Sequence, residues 1–166
     1  MKRWRQRKIE KFSKSGPGLI FCDGCQAVYY KKSWHHNLRN YKNLKENLPV
    51  KFLLCPACRM IKNKQFEGEI IVKNAPARIK NNLINLVKAF CRRAYQKDPL
   101  DRLIAVKETR DGIKITTTEN QLAVKLAKKI KDVFKKVELK ISYSPAPSDT
   151  TYIILEFLPN KFDKSS

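Results

Sequence analysis

The chain has 166 residues, of which 42% are apolar, and its 36 Lys and Arg residues outnumber its 15 Asp and Glu residues to give a net charge of +21. The length suits one domain, or a small module joined to a compact domain. The excess of positive charge indicates a polyanionic partner, with nucleic acid as the first candidate and an anionic membrane surface as the second. No apolar run is long enough to span a membrane, and the N-terminus has no secretory signal pattern, so we expect a cytoplasmic protein without a membrane partner.

Residues 1–17 form a basic arm. Seven of the first 15 residues are Lys or Arg, and Gly16 and Pro17 then oppose a helix. Arginine pairs with phosphate in a fork and tryptophan offers a stacking face, so we expect the arm to bind RNA or DNA. The alternative is an ordinary solvated tail. The residues assigned to nucleic-acid binding here are Lys2, Arg3, Trp4, Arg5, Arg7 and Lys8.

Four of the five cysteines form two C-x-x-C pairs separated by 29 residues. Two such pairs can supply four thiolates to the corners of a tetrahedron, which is the geometry of a structural zinc site. The alternative is a redox dithiol, but a thioredoxin-type motif occurs once, between a strand and a helix. The predicted cofactor is therefore a structural Zn²⁺ ion. Its predicted ligands are Cys22, Cys25, Cys55 and Cys58.

The residues around the first pair predict a zinc-ribbon hairpin. Apolar residues at 19–21 lead into the first knuckle, where Gly24 is expected to provide a positive φ, and residues 27–30 return as a strand. Residues 33–48 carry apolar side chains at spacings of three and four, which predicts a helix ended by Pro49. A strand at 50–54 then leads into the second knuckle.

Cations and aromatic residues alternate beside the first knuckle. Single-stranded RNA needs both phosphate contacts and stacking surfaces, so this set is a candidate RNA contact. The alternative is that some of the rings form the small core of the ribbon, and we expect one or two to be buried. The residues assigned to nucleic-acid binding in this module are Tyr30, Lys31, Lys32, Trp34, His35, Arg39, Lys62 and Lys64.

From residue 67 the pattern predicts short strands and two amphipathic helices. Strands are expected at 68–73, 103–108, 113–117, 137–143 and 152–158, and helices at 79–96 and 122–134. Thr118 to Gln121 is interpreted as a capping box for the second helix, whose lysine-rich surface is either a second phosphate-binding face or simply solvated. The order β-α-β-β-α-β-β is typical of a ferredoxin-like domain with an extra strand, antiparallel to the strand before it.

The predicted fold class is α+β, with an N-terminal treble-clef or zinc-ribbon module followed by a ferredoxin-like β-α-β-β-α-β(-β) domain. The predicted boundaries are 1–17 for the basic arm, 18–66 for the zinc ribbon, 67–160 for the α/β domain and 161–166 for a polar tail.

No catalytic motif is found in the sequence, so we expect no enzyme activity and no small-molecule substrate. Glu67 and Glu69 are close, but nothing in the sequence pairs them with a pocket or a metal. Cys91 is interpreted as a buried lone thiol. His35 and His36 are expected to act as polar or stacking groups rather than as metal ligands, because four cysteines are available.

Several segments resemble one protein family. The run C-D-G-C-Q-A-V-Y-Y-K-K-S-W and the run C-P-A-C-R-M-I-K are similar to the knuckles of short bacterial proteins related to the large-ribosomal-subunit export adaptor of eukaryotes and archaea. Residues 114–127 resemble the strand–Thr–helix segment of that group. The adaptor family binds the large ribosomal subunit during late assembly, so the resemblance implies a ribosome-binding or rRNA-binding factor. The adaptor's additional cysteine cluster, further domains and export signals are not found in this sequence.

The leading hypothesis is therefore a non-enzymatic zinc-containing protein that binds rRNA or the ribosome as an assembly or accessory factor. Its expected partners are rRNA or a ribosomal particle, with ribosomal proteins as further candidates. A DNA-associated regulator using the same basic surfaces is one alternative. A zinc-ribbon adaptor between proteins, with its charge serving solubility, is the other.

Overall fold

A computed structural model describes residues 18–45 and 47–159, and the predicted basic arm and polar tail lie outside the described residues. This part of the chain is mixed α+β, with two sheets and three α-helices. The first sheet precedes a short helix. Its strands and that helix are β1 (Leu19–Cys22), β2 (Val28–Tyr30), β3 (Ser33–His35), β4 (Val50–Leu53) and α1 (Pro56–Lys62).

The strands of the first sheet follow the order β3-β2-β1-β4. β1 pairs antiparallel with β2 but parallel with β4, in a register that joins Leu19 to Val50 and Cys22 to Leu53. Because parallel strands end at the same edge of a sheet, the segments that follow β1 and β4 emerge side by side. These segments are the two cysteine knuckles.

The helix predicted for residues 33–48 is not found. The structure has strand β3 at Ser33–His35, followed by turns and loop in the described residues up to 45. Asn37 accepts a hydrogen bond from the backbone N–H of Arg39 through its side chain, a local bond that competes with helix formation. Trp34 packs in the core of this module, and this burial holds the segment around it in the sheet.

Helix α1 was not predicted, although the sequence carries a signal for it. Pro56 occupies the first turn, where a missing N–H costs nothing. Cys55 precedes it as the N-cap, and its thiol accepts a hydrogen bond from the backbone N–H of Cys58. The second cysteine pair therefore lies at the beginning of a helix.

The second module consists of five strands, two long helices and one 3-10 turn. Its elements are β5 (Gly68–Lys73), the 3-10 turn Ala77–Ile79, α2 (Lys80–Lys97), β6 (Leu103–Thr109), β7 (Gly112–Thr117), α3 (Asn120–Phe134), β8 (Val137–Tyr143) and β9 (Thr151–Phe157). The predicted order of elements is confirmed. Both helices pack on one face of the sheet, where Ile70, Leu83, Ile115, Leu126 and Leu155 have no exposed surface.

The ferredoxin-like arrangement of the strands is not confirmed. The observed order is β6-β7-β5-β9-β8. β9 is antiparallel to β8, as expected, but it lies between β8 and β5 and pairs with β5 in parallel. In a ferredoxin-like sheet the strand after the second helix would pair with the first strand directly. Here that position belongs to β9.

The capping box at the start of α3 is also absent. Glu119, rather than Thr118, precedes the helix, and no side chain caps its N-terminus. The Thr118 hydroxyl instead accepts a hydrogen bond from the Arg102 N–H at 2.9 Å and donates one to the Leu100 carbonyl at 2.6 Å. Thr118 therefore fastens the loop between α2 and β6.

The loop between α2 and β6 also makes contacts between the two modules. Leu100 packs against the buried cluster of the first module. Arg102 lies over the ring of Tyr95, with 4.7 Å from its guanidinium carbon to the ring centroid. The rings of His36 and Tyr95 meet edge to face, with 4.7 Å between their centroids. His36 also donates through Nε2 to the Tyr95 carbonyl. The ribbon is thus docked on the end of α2.

Candidate metal centre

The four predicted cysteine ligands converge on one point. Their sulfur atoms all lie within 4.8 Å of one another, and none of the four forms a disulfide. The Cys25 and Cys55 sulfurs are 3.8 Å apart. Sulfurs at the corners of a tetrahedron around a zinc ion at 2.3 Å would be about 3.8 Å apart. The cluster therefore has the dimensions of a four-thiolate metal site.

Backbone N–H groups surround the sulfur atoms and stabilise their negative charge. Cys22 Sγ accepts from the N–H of Cys55 at 3.1 Å and from that of Gly24 at 3.3 Å. Cys55 Sγ accepts from the N–H of Cys58 at 3.4 Å. Bonds of this kind orient metal-ligating thiolates and tune their charge.

Burial and hydrogen bonding shift the thiol pKa values in different directions. Burial acts to raise the pKa of Cys22, but the N–H groups of Cys55, Cys25 and Gly24 outweigh it and bring that pKa down to about 7. Burial raises the pKa of Cys55 and raises that of Cys58 to about 11. A bound metal ion would replace the protons of such thiols, so metal binding would release protons.

Gly24 allows the two knuckles to approach each other. A Cβ atom at this position would lie 2.9 Å from Cys58 Sγ and 3.1 Å from Cys58 Cβ. The explanation offered from the sequence, a positive φ, is wrong, because the residue of this turn with a positive φ is Gln26, at 62°. Glycine is required here because a side chain would enter the sulfur cluster.

The metal centre supports a small core of aromatic residues. Trp34 is 8% exposed and packs against Tyr29, with 5.5 Å between the ring centroids. Trp34 was assigned to nucleic-acid binding, but it lies inside the ribbon, where it cannot stack on a base. This agrees with the expectation that some of the rings would be buried.

Five of the other assigned residues of this module are exposed, and one of them, Lys31, is described with its cluster below. Arg39 is exposed in the loop after β3, and Lys32 is exposed in the turn between β2 and β3. Lys62 ends α1 and Lys64 follows it, both exposed. The assigned residues of the arm lie outside the described residues.

Tyr30, Lys31, His35 and Tyr41 form one cluster, which we call the aromatic–lysine cluster. The Lys31 ammonium lies 5.6 Å from the Tyr30 ring centroid and 5.5 Å from that of Tyr41. Tyr30 and Tyr41 meet edge to face at 5.1 Å, and His35 meets Tyr41 at 5.2 Å. His35 Nε2 also lies 3.1 Å from the Tyr30 carbonyl. The cluster combines a cation with rings held in fixed positions.

The turn beside this cluster is strained. Tyr30 pairs with Ser33, so Lys31 and Lys32 are the two central residues of a tight hairpin. Their φ values are 47° and 65°, the left-handed region that a two-residue hairpin turn demands and that Asn and Gly usually supply. Lysine in this region costs about 1–2 kcal/mol per residue, and such strain is concentrated at functional sites.

Arg102 is a residue of the second module that contacts the metal centre. Its Nη1 lies 3.9 Å from Cys58 Sγ. Arg102 is not among the residues that the sequence assigns to this site. No sequence signal could have identified it, because the contact joins residues far apart in the chain.

The structure places Glu67 in the wall of a pocket, a feature that no pattern in the sequence predicts. The pocket has a volume of about 350 Å³. It lies between the end of α1 and the β8–β9 loop, and its walls include Met60, Phe66, Glu67, Asp149 and Tyr152. Glu69 is not among the lining residues and instead pairs with Lys114.

Comparison with models of known protein families and with curated proteins finds no match for this chain. Within residues 18–45 and 47–159, no helix combines the length and the apolar character needed to cross a membrane.

Proposed function

We propose that this chain is a non-enzymatic zinc-containing RNA-binding protein that acts on the large ribosomal subunit or its rRNA as an assembly or accessory factor. The observation that carries the proposal is the aromatic–lysine cluster, fixed next to a four-thiol site. The cluster offers a phosphate-binding cation and stacking rings within one hairpin.

Zinc is the metal that best fits the four thiols. Zn²⁺ accepts four thiolates in tetrahedral geometry, and all four corners would come from the protein. With no position left for water or substrate, the ion would stabilise the ribbon without taking part in a reaction. The protein's own contribution is to hold Cys22 and Cys55 in a shell of backbone N–H donors.

The aromatic–lysine cluster suits single-stranded RNA. Tyr30 and Tyr41 are half-buried, so part of each side chain stays accessible to a base. Stacking of one base on an aromatic ring contributes about 1–3 kcal/mol. Lys31 is exposed and can move from the rings to a phosphate oxygen when a base occupies the ring face.

The ribosome is favoured as the source of this RNA by two features. The net charge of +21 suits a particle whose surface is rich in phosphate. The two cysteine knuckles and the Thr-rich segment at 114–118 resemble those of the large-subunit export adaptor family and its short bacterial relatives.

Sedimentation on a sucrose gradient tests this proposal. The zinc-loaded wild-type chain is expected to migrate with ribosomal particles at low salt, and Lys31→Glu/Lys32→Glu is expected to abolish co-migration. Lys107→Glu/Lys140→Glu is the matched control, because both of its lysines are exposed and it changes the net charge equally. Free migration of the wild type, or equal loss in both variants, would contradict the proposal.

An adaptor between proteins is the second candidate, favoured by strand β4. β4 is an edge strand, and its Val50, Phe52 and Leu53 side chains are 48%, 65% and 43% exposed. An exposed apolar edge strand is typical of a surface that pairs with another chain. If this reading is right, Phe52→Lys would abolish co-migration with ribosomal particles but leave affinity for protein-free rRNA unchanged.

A further inference from the structure

The two long helices concentrate positive charge on one side of the second module. α2 contains five basic residues and no acidic residue, and α3 contains four basic residues and one acidic residue, Asp132. Their apolar positions, such as Leu83, Val87 and Leu126, face the sheet and are fully buried. Since helix positions three and four apart share a face, the basic residues are directed to the opposite side.

We call this surface the helix face and define it by five exposed residues. These are Lys88, Arg92, Lys125, Lys128 and Lys129. Within the part of the chain that the structure describes, ion pairs join Lys80 to Glu108 and Lys114 to Glu69, but none involves these five side chains. Residues four apart on a helix are separated by about 6 Å along its axis, so the cations form a closely spaced array.

The opposite side of the same module is nearly neutral. Residues that pair across the sheet place Lys107, Lys114 and Lys140 on the face away from the helices. Glu69, Glu138 and Glu156 share that face, and Lys73 pairs directly with Glu156. The module therefore has one cationic side and one balanced side, so its charge is not a uniform solvating coat.

The helix face lacks accessible aromatic rings. Phe90 and Phe134 pack against the core, and the ring of Tyr95 contacts both His36 and Arg102. Single-stranded nucleic acid is bound by stacking as well as by charge, whereas double-stranded RNA is recognised through its phosphates and 2′-hydroxyl groups. Lys and Arg side chains, with the exposed amides of Asn81 and Asn85 nearby on α2, match the second kind of ligand.

We propose that the helix face binds the phosphate backbone of a double-stranded segment of RNA. This inference rests on the proposed function, since it assigns a second contact with the same class of partner. The ribbon would bind unpaired bases and the helix face a neighbouring stem, so that the chain recognises a junction between single and double strands.

The experiment measures the affinity of the zinc-loaded full chain for a 20-base-pair RNA duplex, and separately for an unpaired RNA of the same length, over a range of KCl concentrations. The test variant is Lys88→Gln/Lys128→Gln, which removes one cation from each helix and introduces good helix-forming residues. Lys107→Gln/Lys140→Gln is the matched control. Both variants lower the net charge by the same amount, so a difference between them reflects position.

The slope of log affinity against log salt is negative, and the test variant is expected to reduce its magnitude by about 2. At 150 mM salt this corresponds to about fivefold weaker duplex binding for each contact, or about 30-fold for both. The control variant should change neither quantity, and Lys31→Gln/Lys32→Gln should weaken binding of unpaired RNA more than binding of the duplex.

Equal effects of the test and control variants would overturn the inference, as would a helix-face effect seen with duplex DNA but not with duplex RNA. If unpaired RNA still bound through the ribbon in those cases, the proposed function would stand without this second contact. If the wild-type chain bound neither RNA, both proposals would fail.

Discussion

Replacing Lys32 by glycine is expected to stabilise the ribbon and to weaken RNA binding at the same time. Lys32 is exposed and has a φ of 65°. For a residue with a Cβ atom, the left-handed region costs about 1–2 kcal/mol. Glycine avoids this cost but loses about 0.5–1 kcal/mol because the unfolded chain gains freedom. The expected net gain is about 0.7 kcal/mol.

Urea unfolding of the zinc-loaded chain at a fixed concentration of free zinc measures this gain. The chain has two tryptophans, so a Trp4→Phe background leaves buried Trp34 as the reporter of the ribbon. With an m-value of about 1.5 kcal/mol/M, the stabilisation would move the unfolding midpoint upward by about 0.5 M. The same protein should bind unpaired RNA several-fold more weakly than the wild type.

Lys51→Gly provides the matched control. Lys51 is also exposed, but it lies in strand β4 and its φ is not positive. Glycine is therefore expected to lower stability there by about 0.5–1 kcal/mol. A Lys32→Gly variant no more stable than the wild type would refute the assignment of strain to the hairpin. If Lys32→Gly bound RNA as tightly as the wild type, the strained Lys32 would not contribute to RNA binding.

Three further predictions concern the cysteines and their surroundings. Cys55→Ser should no longer retain zinc when it is loaded, and its ribbon should unfold while residues 68–158 stay folded; a variant that keeps one equivalent of zinc and wild-type resistance to proteolysis would contradict this. Gly24→Ala should weaken zinc binding, measured by competition with a chelator, because its Cβ would meet Cys58 Sγ; unchanged affinity would show that the knuckles can separate. Burial raises the pKa of Cys91 from 9.0 to about 12, so its stabilising contribution is complete below pH 9 and is lost towards pH 12. Between pH 8 and pH 10 the free energy of unfolding should fall by about 1 kcal/mol more in the wild type than in Cys91→Ala, and identical pH profiles in urea unfolding would disprove it.

The features that the sequence predicts well are those carried by local patterns. The spacing of the cysteines is enough to identify the four thiols that meet, since each pair forms its own knuckle. The helix predicted for 79–96 is confirmed because its apolar residues recur at helical spacing over five turns and no proline or glycine interrupts them. The alternation of Ile113, Ile115 and Thr117 likewise predicts the buried side of β7.

Other features depend on contacts between distant residues and could not be read from local patterns. Leu38, Tyr41 and Leu44 have helical spacing, but the side chain of Asn37 accepts a hydrogen bond from the backbone N–H of Arg39, and the described residues of this segment form no helix. A Thr followed three residues later by Gln suggested a capping box at α3. The Thr118 hydroxyl instead bonds to the loop at residues 100–102, a partner that only the folded chain brings near.

The position of β9 between β5 and β8 has a consequence for folding during synthesis. A ribosome that extends this chain completes β5, both long helices and β8 before β9 has been made. Until β9 emerges, one edge of β5 stays open and β8 has no neighbouring strand to pair with, because β9 supplies both ladders. Pairing of β5 with β9 also closes a long loop, which slows folding. The second module should therefore acquire its protease resistance in one late step, after Phe157 leaves the exit tunnel, whereas the ribbon can bind its metal much earlier.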